Sequence, residues 1–92
     1  MIKTFAHKGL YIFFETGSTA GVQAKHETRL RNILELLHRA KDIKDMALPN
    51  YNLHPLKGNL KGLWSVKVNG NWRIIFRFSE GNAYVVNYID YH

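Results

Sequence analysis

The sequence predicts an α+β fold in which two N-terminal helices pack on a small, mostly antiparallel β-sheet. Residues 7–41 hold two stretches whose apolar residues recur at helical spacing. Residues 64–91 hold three runs that alternate as strands do, joined by Asn, Gly and Ser. A chain of 92 residues that is 46% apolar can hide roughly 60–65% of its unfolded surface. We therefore expect one domain that spans residues 1–92.

The first elements are a short strand and a helix. Residues 1–6 alternate well enough for a strand in which Ile2 contributes to packing. From His7 to Thr16 the spacing predicts a helix, and Gly17 is expected to end it because glycine adopts the left-handed conformation past a helix end. The apolar residues of this helix are Leu10, Ile12, Phe13 and Phe14.

Residues 24–41 give the clearest helical pattern. An apolar stripe at helical spacing comprises Leu30, Ile33, Leu34, Leu37 and Ala40. Each buried Leu or Ile contributes about 1.5–3 kcal/mol, which outweighs the few tenths from exposed ion pairs. We expect this stripe to cover one face of a sheet.

The segment 42–62 breaks both periodic patterns. It contains Pro49 and Pro55, with one helical turn expected near 43–46 and a short strand near 51–53. A connection of about 20 residues is uncommon in a small domain unless it binds something or hides a strand.

The hairpin after residue 63 has two possible registers. A two-residue Asn-Gly turn would pair Val68 with Asn71 and place Arg73 on the apolar face. A three-residue loop 69–71 instead makes the pairs Val68–Trp72, Val66–Ile74 and Trp64–Phe76. Because a one-residue slip turns every side chain over, the apolar pattern favours the second register. The opposite face then carries Ser65, Lys67, Arg73 and Arg77.

A second three-residue loop is expected at residues 79–81, followed by a strand over 82–91. In this register the core face receives Tyr84, Val86 and Tyr88. Asn87 would lie opposite Arg73, and Tyr91 would point to the same side as Arg73.

The charge balance favours a polyanionic partner. The chain has 13 Lys and Arg against 7 Asp and Glu, a net charge of +6, which attracts nucleic acid at long range. The same charge would also serve a protein that merely stays soluble, so this alternative remains open. Without cysteine the chain has neither disulfides nor thiolate metal ligands.

No targeting segment is predicted. The N-terminal apolar stretch at residues 10–14 is too short for a secretion signal. No apolar run reaches membrane-spanning length, so we expect a cytoplasmic protein without a membrane partner.

Groups that transfer protons or hold anions recur in the second half of the chain. The sequence closes on Asp90, Tyr91 and His92, and we expect this end to belong to a site. His54 and Lys57 lie in the loop that contains Pro55, which limits the freedom of His54. Together with Arg73 these residues form a candidate catalytic cluster.

Such groups suit cleavage of RNA by its own 2′-hydroxyl. One group must take the hydroxyl proton, one must stabilise charge on the phosphate, and one must protonate the leaving 5′-oxygen. Arg73 offers a planar fork to phosphate, and histidine titrates near neutrality. No metal or other cofactor is needed. Which residue acts as base and which as acid stays open.

Each residue also has a plainer interpretation. A strand arginine is often only solvated, and a lone histidine is more often structural than catalytic. We expect Trp64 and Trp72 to pack in the core, and we assign no role to the remaining histidines His7, His26 and His38. Contacts to RNA are expected from Lys67, Asn71 and Arg77, with further electrostatic grip from Lys25, Arg29, Arg31, Lys41 and Lys44.

Four motifs together resemble the HigB toxins of the RelE/ParE superfamily: His54–Gly58, Trp64–Val66, Asn71–Ile74 and Asp90–His92. The resemblance covers the whole chain. It implies the two-helix, small-sheet fold and cleavage of messenger RNA in the ribosomal A site. It also implies that Arg73 and Lys57 neutralise the scissile phosphate while His54, Asp90, Tyr91 and His92 position RNA or transfer protons.

The resemblance also implies partners. In that family a helix-turn-helix antitoxin, HigA, holds the toxin inactive, and the complex binds its operator DNA. Two other functions remain open at this point: a ParE-like toxin that inhibits gyrase without chemistry of its own, and a nucleic-acid-binding module.

Overall fold

A computed structural model describes residues 1–91, so the predicted role of His92 lies outside the described residues. The helices are α1 (Lys8–Thr16) and α2 (Glu27–Arg39), and the strands are β1 (His54–Pro55), β2 (Trp64–Asn69), β3 (Trp72–Ser79) and β4 (Asn82–Asp90). The sheet has the order β1-β2-β3-β4, with every neighbouring pair antiparallel. The predicted α+β class is confirmed. No helix among residues 1–91 is long and apolar enough to cross a membrane.

The first six residues lie along β4 and do not form a full strand. They run parallel to it through two bridges, Ile2 to Ala83 and Phe5 to Val86. Backbone hydrogen bonds of 2.8–3.1 Å hold the segment on both sides of each bridge. The predicted pairing segment is therefore present and carries the buried Ile2.

Helix α1 begins and ends as its sequence predicts. The His7 ring accepts a hydrogen bond from the Leu10 amide at 2.9 Å, which satisfies one of the unpaired donors at the helix start. At the other end Gly17 has a φ of 81° and donates its N–H to the carbonyl of Phe13.

Helix α2 covers the inner face of the sheet. It is shorter than the predicted 24–41 because residues Ala24–His26 form a 3₁₀ turn before it. All five residues of the predicted stripe are buried. They belong to one apolar cluster with Val66, Ile74, Phe76, Val86 and Tyr88 of the sheet, and Trp64 and Trp72 pack against that cluster as predicted.

The connection between α2 and β2 holds two 3₁₀ turns and the shortest strand. The predicted helical turn is present at Ile43–Met46. The predicted strand at 51–53 is wrong: the paired residues are His54 and Pro55, opposite Ser65 and Trp64. Asn52 has a positive φ of 49°, which breaks extended geometry immediately before β1.

The first hairpin has the predicted register but a different turn. Val66–Ile74 and Trp64–Phe76 are paired as predicted. The Val68–Trp72 pair is wrong, because a bulge after Lys67 pairs Asn69 with Trp72 and leaves a two-residue loop. Only the first loop residue, Gly70, has a positive φ, as in a type II′ turn.

The second hairpin corrects two predictions. Ser79 pairs with Asn82, and the two loop residues both have positive φ, as in a type I′ turn. This turn is one residue shorter than predicted, so Tyr84 lies opposite Arg77 on the outer side instead of in the core.

A bulge in the β3–β4 pairing, between Ile75 and Arg77, then shifts the register by one more residue, and Val85 within it has a φ of 49°. Asn87 consequently pairs with Ile75, and Arg73 pairs with Ile89, so the predicted Asn87–Arg73 pair is wrong. Two one-residue shifts restore the original faces. Val86 and Tyr88 therefore point inward as predicted.

A histidine lies buried between α2 and the sheet. His26 is 2% exposed, and its Nδ1 lies 2.6 Å from the hydroxyl of Tyr88. Burial, assisted by the nearby charge of Lys25, lowers the pKa of His26 below its ordinary 6.5. The ring is therefore neutral in the folded protein at neutral pH.

We expect the protein to lose stability as the pH falls below about 6.5. The unfolded chain then protonates His26 while the folded chain does not, so protons favour unfolding. Urea unfolding between pH 7.5 and 5 measures this loss. In a His26→Asn variant, which keeps an acceptor for Tyr88 but cannot titrate, the loss should be smaller. Equal slopes in the two proteins would contradict the assignment.

Two glycines bring the backbone of α1 against the loop that follows it. A Cβ at Gly9 would lie 2.5 Å from the carbonyl oxygen of Gly21, and a Cβ at Gly21 would lie 2.6 Å from the Cα of Gly9. Both neighbours are backbone atoms, so neither can rotate away. This contact fixes α1 relative to residues 17–23.

A Gly9→Ala substitution should destabilise the fold by about 1–3 kcal/mol through overpacking. Helix propensity alone predicts the opposite, a gain in stability of about 1 kcal/mol. The sign of the change in the free energy of unfolding therefore decides between overpacking and helix propensity. Denaturant unfolding measures it. Lys8→Ala, at the exposed neighbouring position, serves as the control and should change stability by less than about 0.5 kcal/mol.

Candidate active site

The candidate site lies on the outer face of the sheet, the side turned away from α2. Residues opposite each other on antiparallel strands share a face, which gives two adjacent rows. One row is His54, Ser65, Ile75 and Asn87, and the next is Lys67, Arg73 and Ile89.

Arg73 is the second residue of the central strand β3 and lies on this face next to the hairpin turn. Its guanidinium folds back over the preceding turn, where Nη1 donates to the carbonyl of Gly70 at 2.6 Å and to that of Trp72 at 3.0 Å. Two backbone acceptors therefore orient the fork, and within residues 1–91 its other N–H groups remain available to a ligand.

Lys67 is directly opposite Arg73 on β2. Like charges opposite each other on a sheet destabilise it. The salt bridge of residues 1–91 is Arg31–Glu27, on α2, so no carboxylate of the described residues forms an ion pair with Lys67 or Arg73. The register places two positive charges side by side on the face that carries His54.

The strand that holds Lys67 is fixed by Arg29 of α2. The Arg29 guanidinium donates to the carbonyl of Lys67 at 3.0 Å and to that of Asn50 at 2.6 Å. It also lies 4.5 Å from the ring centre of Tyr51. The carbonyl of Tyr51 in turn accepts from the amide of Lys67 at 2.7 Å. Arg29 thus joins the helix, the segment before β1 and the site strand.

His54 extends from β1 onto the outer face. Its Nδ1 lies 2.9 Å from the carbonyl oxygen of Asn52. A carbonyl only accepts, so Nδ1 carries the hydrogen and the neutral ring keeps its lone pair on Nε2. His54 and Arg73 lie two strands and two residues apart, about 10 Å across the strands and about 7 Å along them.

The loop after β1 carries Lys57. This residue is exposed and precedes the 3₁₀ turn Gly58–Leu60, where its carbonyl accepts from the amide of Leu60. The loop closes on itself through the Leu56 amide and the Leu63 carbonyl at 2.9 Å. Leu56 is buried but lies outside the apolar cluster beneath α2.

Tyr91 and Asp90, two neighbouring residues of the candidate cluster, lie on different faces of the sheet. The Tyr91 amide donates to the carbonyl of Asn71 at 2.7 Å, which extends the β3–β4 pairing one residue beyond Asp90. Tyr91 therefore continues the alternation on the side of Arg73 and is 39% exposed. Asp90 pairs with Trp72, so it shares the inner face and points away from Arg73.

Arg77 lies apart from the other cations. It is four residues along β3 from Arg73, about 13 Å. Its guanidinium lies 4.2 Å from the ring centre of Tyr84, which holds it at the far end of the outer face. Of the predicted residues, the structure therefore groups Arg73, Lys67, Asn71 and Tyr91. His54 lies on the same face but about 12 Å from Arg73, nearly as far as Arg77, and Asp90 points to the other face.

Sequence reasoning missed two residues that shape this face. Arg29 received only a general electrostatic role, because its bonds to residues 50 and 67 depend on tertiary contacts. Ser65 was treated as a surface residue, yet it is 1% exposed and its hydroxyl has no hydrogen-bond partner among residues 1–91. The alternating pattern indicates its face but not what covers it.

A family model described as the RelE-like toxin of the type II toxin-antitoxin system HigB matches residues 3–92. The chain belongs to the HigB-like toxin family. Endoribonuclease HigB from Proteus vulgaris is 48% identical to it over 92 residues, which is the whole of both chains. Toxin HigB-1 from Vibrio cholerae serotype O1 is 34% identical over 94 residues, which cover all of this chain and 98% of the relative.

Solved structures show the same fold at low sequence identity. The YoeB–YefM complex from Staphylococcus aureus matches with a TM-score of 0.64 and 17% identity, covering all of this chain and 95% of the matched chain. A mutant of YafQ from E. coli matches with a TM-score of 0.59 and 18% identity, over 96% of this chain and 89% of that one. The predicted relationship to HigB and to RelE-like toxins is confirmed.

We expect Ser65→Ala to leave the free energy of unfolding unchanged or to raise it by up to about 1 kcal/mol. A buried hydroxyl without a partner costs about 1–3 kcal/mol, and its removal leaves only a small void. Denaturant unfolding tests this. Ser18→Ala, which removes a hydroxyl that accepts from the amide of Ala20, is the matched control and should lower stability slightly. A clear loss for Ser65→Ala would mean that its hydroxyl is hydrogen-bonded.

Proposed function

We propose that this HigB-like toxin is an endoribonuclease that cleaves messenger RNA in the ribosomal A site through attack of the ribose 2′-hydroxyl on the neighbouring phosphate. One observation carries the proposal. Arg73 and Lys67 lie side by side on the outer face without an ion pair to a carboxylate of residues 1–91, and His54 lies on the same face. This arrangement suits a phosphodiester with a ribose beside it.

Arg73 is assigned to the phosphate. Attack by the 2′-hydroxyl adds negative charge to the phosphoryl oxygens, and donors already oriented toward them lower the barrier. The bonds from Arg73 to the carbonyls of Gly70 and Trp72 support such preorganisation. Lys57 and Lys67 add positive charge at the same phosphate or its neighbour.

His54 is assigned to the 2′-hydroxyl proton. Its bond to the carbonyl of Asn52 favours the tautomer in which Nε2 has the lone pair, so the ring presents a base. Tyr91 and His92 are assigned to positioning RNA and to supplying the proton that the leaving 5′-oxygen needs. Asp90, which shares the inner face with Trp72, is assigned no contact with the phosphate. No metal takes part in these steps.

RNA on either side of the cleaved bond is assigned to the rest of the outer face. Asn71 and Arg77 flank Arg73 along the strand direction and are exposed. The Arg77 guanidinium is held against the Tyr84 ring at the far end of this face, which suits contact with a neighbouring nucleotide.

The comparisons support the reaction and an antitoxin partner. The Proteus vulgaris relative is called an endoribonuclease, and the match to YoeB comes from its complex with YefM. We therefore propose that a HigA-type helix-turn-helix antitoxin binds this chain and that the complex binds operator DNA. We also propose that the protein acts in the cytoplasm, because that is where translating ribosomes lie.

Arg73→Ala should lower kcat for cleavage of messenger RNA on translating ribosomes by about 100- to 1,000-fold, the usual effect of removing one donor to a developing oxyanion. Arg73→Lys keeps the charge but loses the planar guanidinium, so its activity should lie between those of the wild type and Arg73→Ala. Mapping the 5′ ends of transcripts after brief expression measures cleavage and locates each cut.

Arg39→Ala provides the control, because it removes an exposed arginine on α2. It should leave cleavage within a few-fold of the wild type. Intact transcripts together with DNA damage signalling in cells that express the wild-type chain would instead favour the gyrase inhibitor. Binding of RNA without any scission would favour the simple binding module.

A further inference from the structure

A buried polar pair lies on the inner face directly behind the candidate site. The hydroxyl of Tyr88 is 2.6 Å from Nδ1 of His26 and accepts a longer bond, 3.4 Å, from the amide of Gln23. The hydroxyl has one hydrogen, and with an amide as donor on one side that hydrogen points to His26. Both residues are buried, His26 to 2% exposure and Tyr88 to 4%.

Trp72 connects this pair to the site. Its ring stacks on Tyr88 with a centroid separation of 4.5 Å and meets the His26 ring edge-on at 5.9 Å. Its backbone carbonyl accepts from the Arg73 guanidinium at 3.0 Å. Across the ladder it is paired with Asp90. Trp72 therefore contacts the buried pair, supplies one of the carbonyls that orient Arg73, and lies opposite the end of β4.

We infer that His26 and Tyr88 are positioning residues for the proposed phosphodiester cleavage. The hydrogen bond between them fixes the Tyr88 ring, the ring fixes Trp72, and Trp72 fixes both the Arg73 fork and the strand end that continues to Tyr91. Neither residue reaches the outer face, so neither touches RNA. The expected effect on cleavage rests on the proposed function. The chain of contacts from His26 to Arg73 and Tyr91 does not.

This role differs from ordinary core packing in one measurable respect. A packing residue lowers stability and leaves the folded site unchanged. A positioning residue alters the site in molecules that remain folded, and a misplacement of 1 Å can cost on the order of 100-fold in rate. Tyr88→Phe separates the two, because it keeps the ring and removes only the hydroxyl.

The experiment compares Tyr88→Phe and His26→Asn with Tyr11→Phe, the same chemical change at a tyrosine that is 48% exposed on α1. Three quantities are measured under conditions where every variant is more than about 99% folded, which requires only some 3 kcal/mol of stability. They are kcat and KM for cleavage on ribosomes, and the hydrogen-exchange rates of the Tyr91 and Val66 amides.

We expect Tyr88→Phe to lower kcat by about 10- to 100-fold with KM within a few-fold of the wild type. The Tyr91 amide, bonded to Asn71 at 2.7 Å, should exchange faster, while Val66 in β2 keeps its protection. His26→Asn should retain more activity than Tyr88→Phe, because its side chain still accepts from the hydroxyl. Tyr11→Phe should match the wild type in all three quantities.

Two outcomes overturn the inference. In one, Tyr88→Phe cleaves like the wild type and its Tyr91 amide exchanges at the wild-type rate. In the other, the Tyr91 and Val66 amides lose protection together in proportion to global stability, which is the behaviour of a packing residue. If the wild-type chain cleaves no RNA, the proposed function fails, and selective loosening of Tyr91 in Tyr88→Phe still supports the positioning geometry.

Discussion

Alternation along β3 is the constraint on which the core and the candidate site both depend. Ile74 and Phe76 point toward α2 and are fully buried, and this holds the strand against the helix. Arg73 must then point the other way, because consecutive side chains leave a strand on opposite faces. The hydrophobic effect thus fixes the direction of a charged group that it does not bury. Pairing with β2 and β4 on either side sets which residues surround that charge.

The same alternation explains what the sequence could predict. The spacing of apolar residues predicted both helices and both hairpins. It also predicted the strand register of the first hairpin correctly away from its turn. Turn length was harder to predict from the sequence, since it depends on whether one residue adopts a positive φ, as Glu80 does at 51°. A bulge near Val85 compensated for that shorter turn, so side-chain faces beyond it were predicted correctly although the individual partners were wrong. Tyr84, which lies between the turn and the bulge, was the residue placed on the wrong face.

The candidate site was predictable as residue types and only partly as geometry. Arg73, His54 and Tyr91 could be assigned to one face because strand period relates them. Asp90 is adjacent to Tyr91 in sequence, and for that reason it faces the opposite side. The structural roles of Arg29, Ser65 and His26 could not be predicted, because they come from contacts between α2, the segment before β1 and the sheet. Periodicity describes one element at a time, so bonds that join separate elements are invisible to it.

The two outer strands of the sheet differ in how they are shielded. β1 is only two residues long and one of them is Pro55, which cannot donate to another strand. Along the opposite border, residues 1–6 of the same chain cover the first half of β4 through bonds to Ala83 and Val86. A foreign strand therefore finds no long row of unpaired backbone groups along either β1 or β4. Displacing residues 1–6 from β4 would uncover such a row, and this would make self-association of the sheet the expected result of damage to that segment.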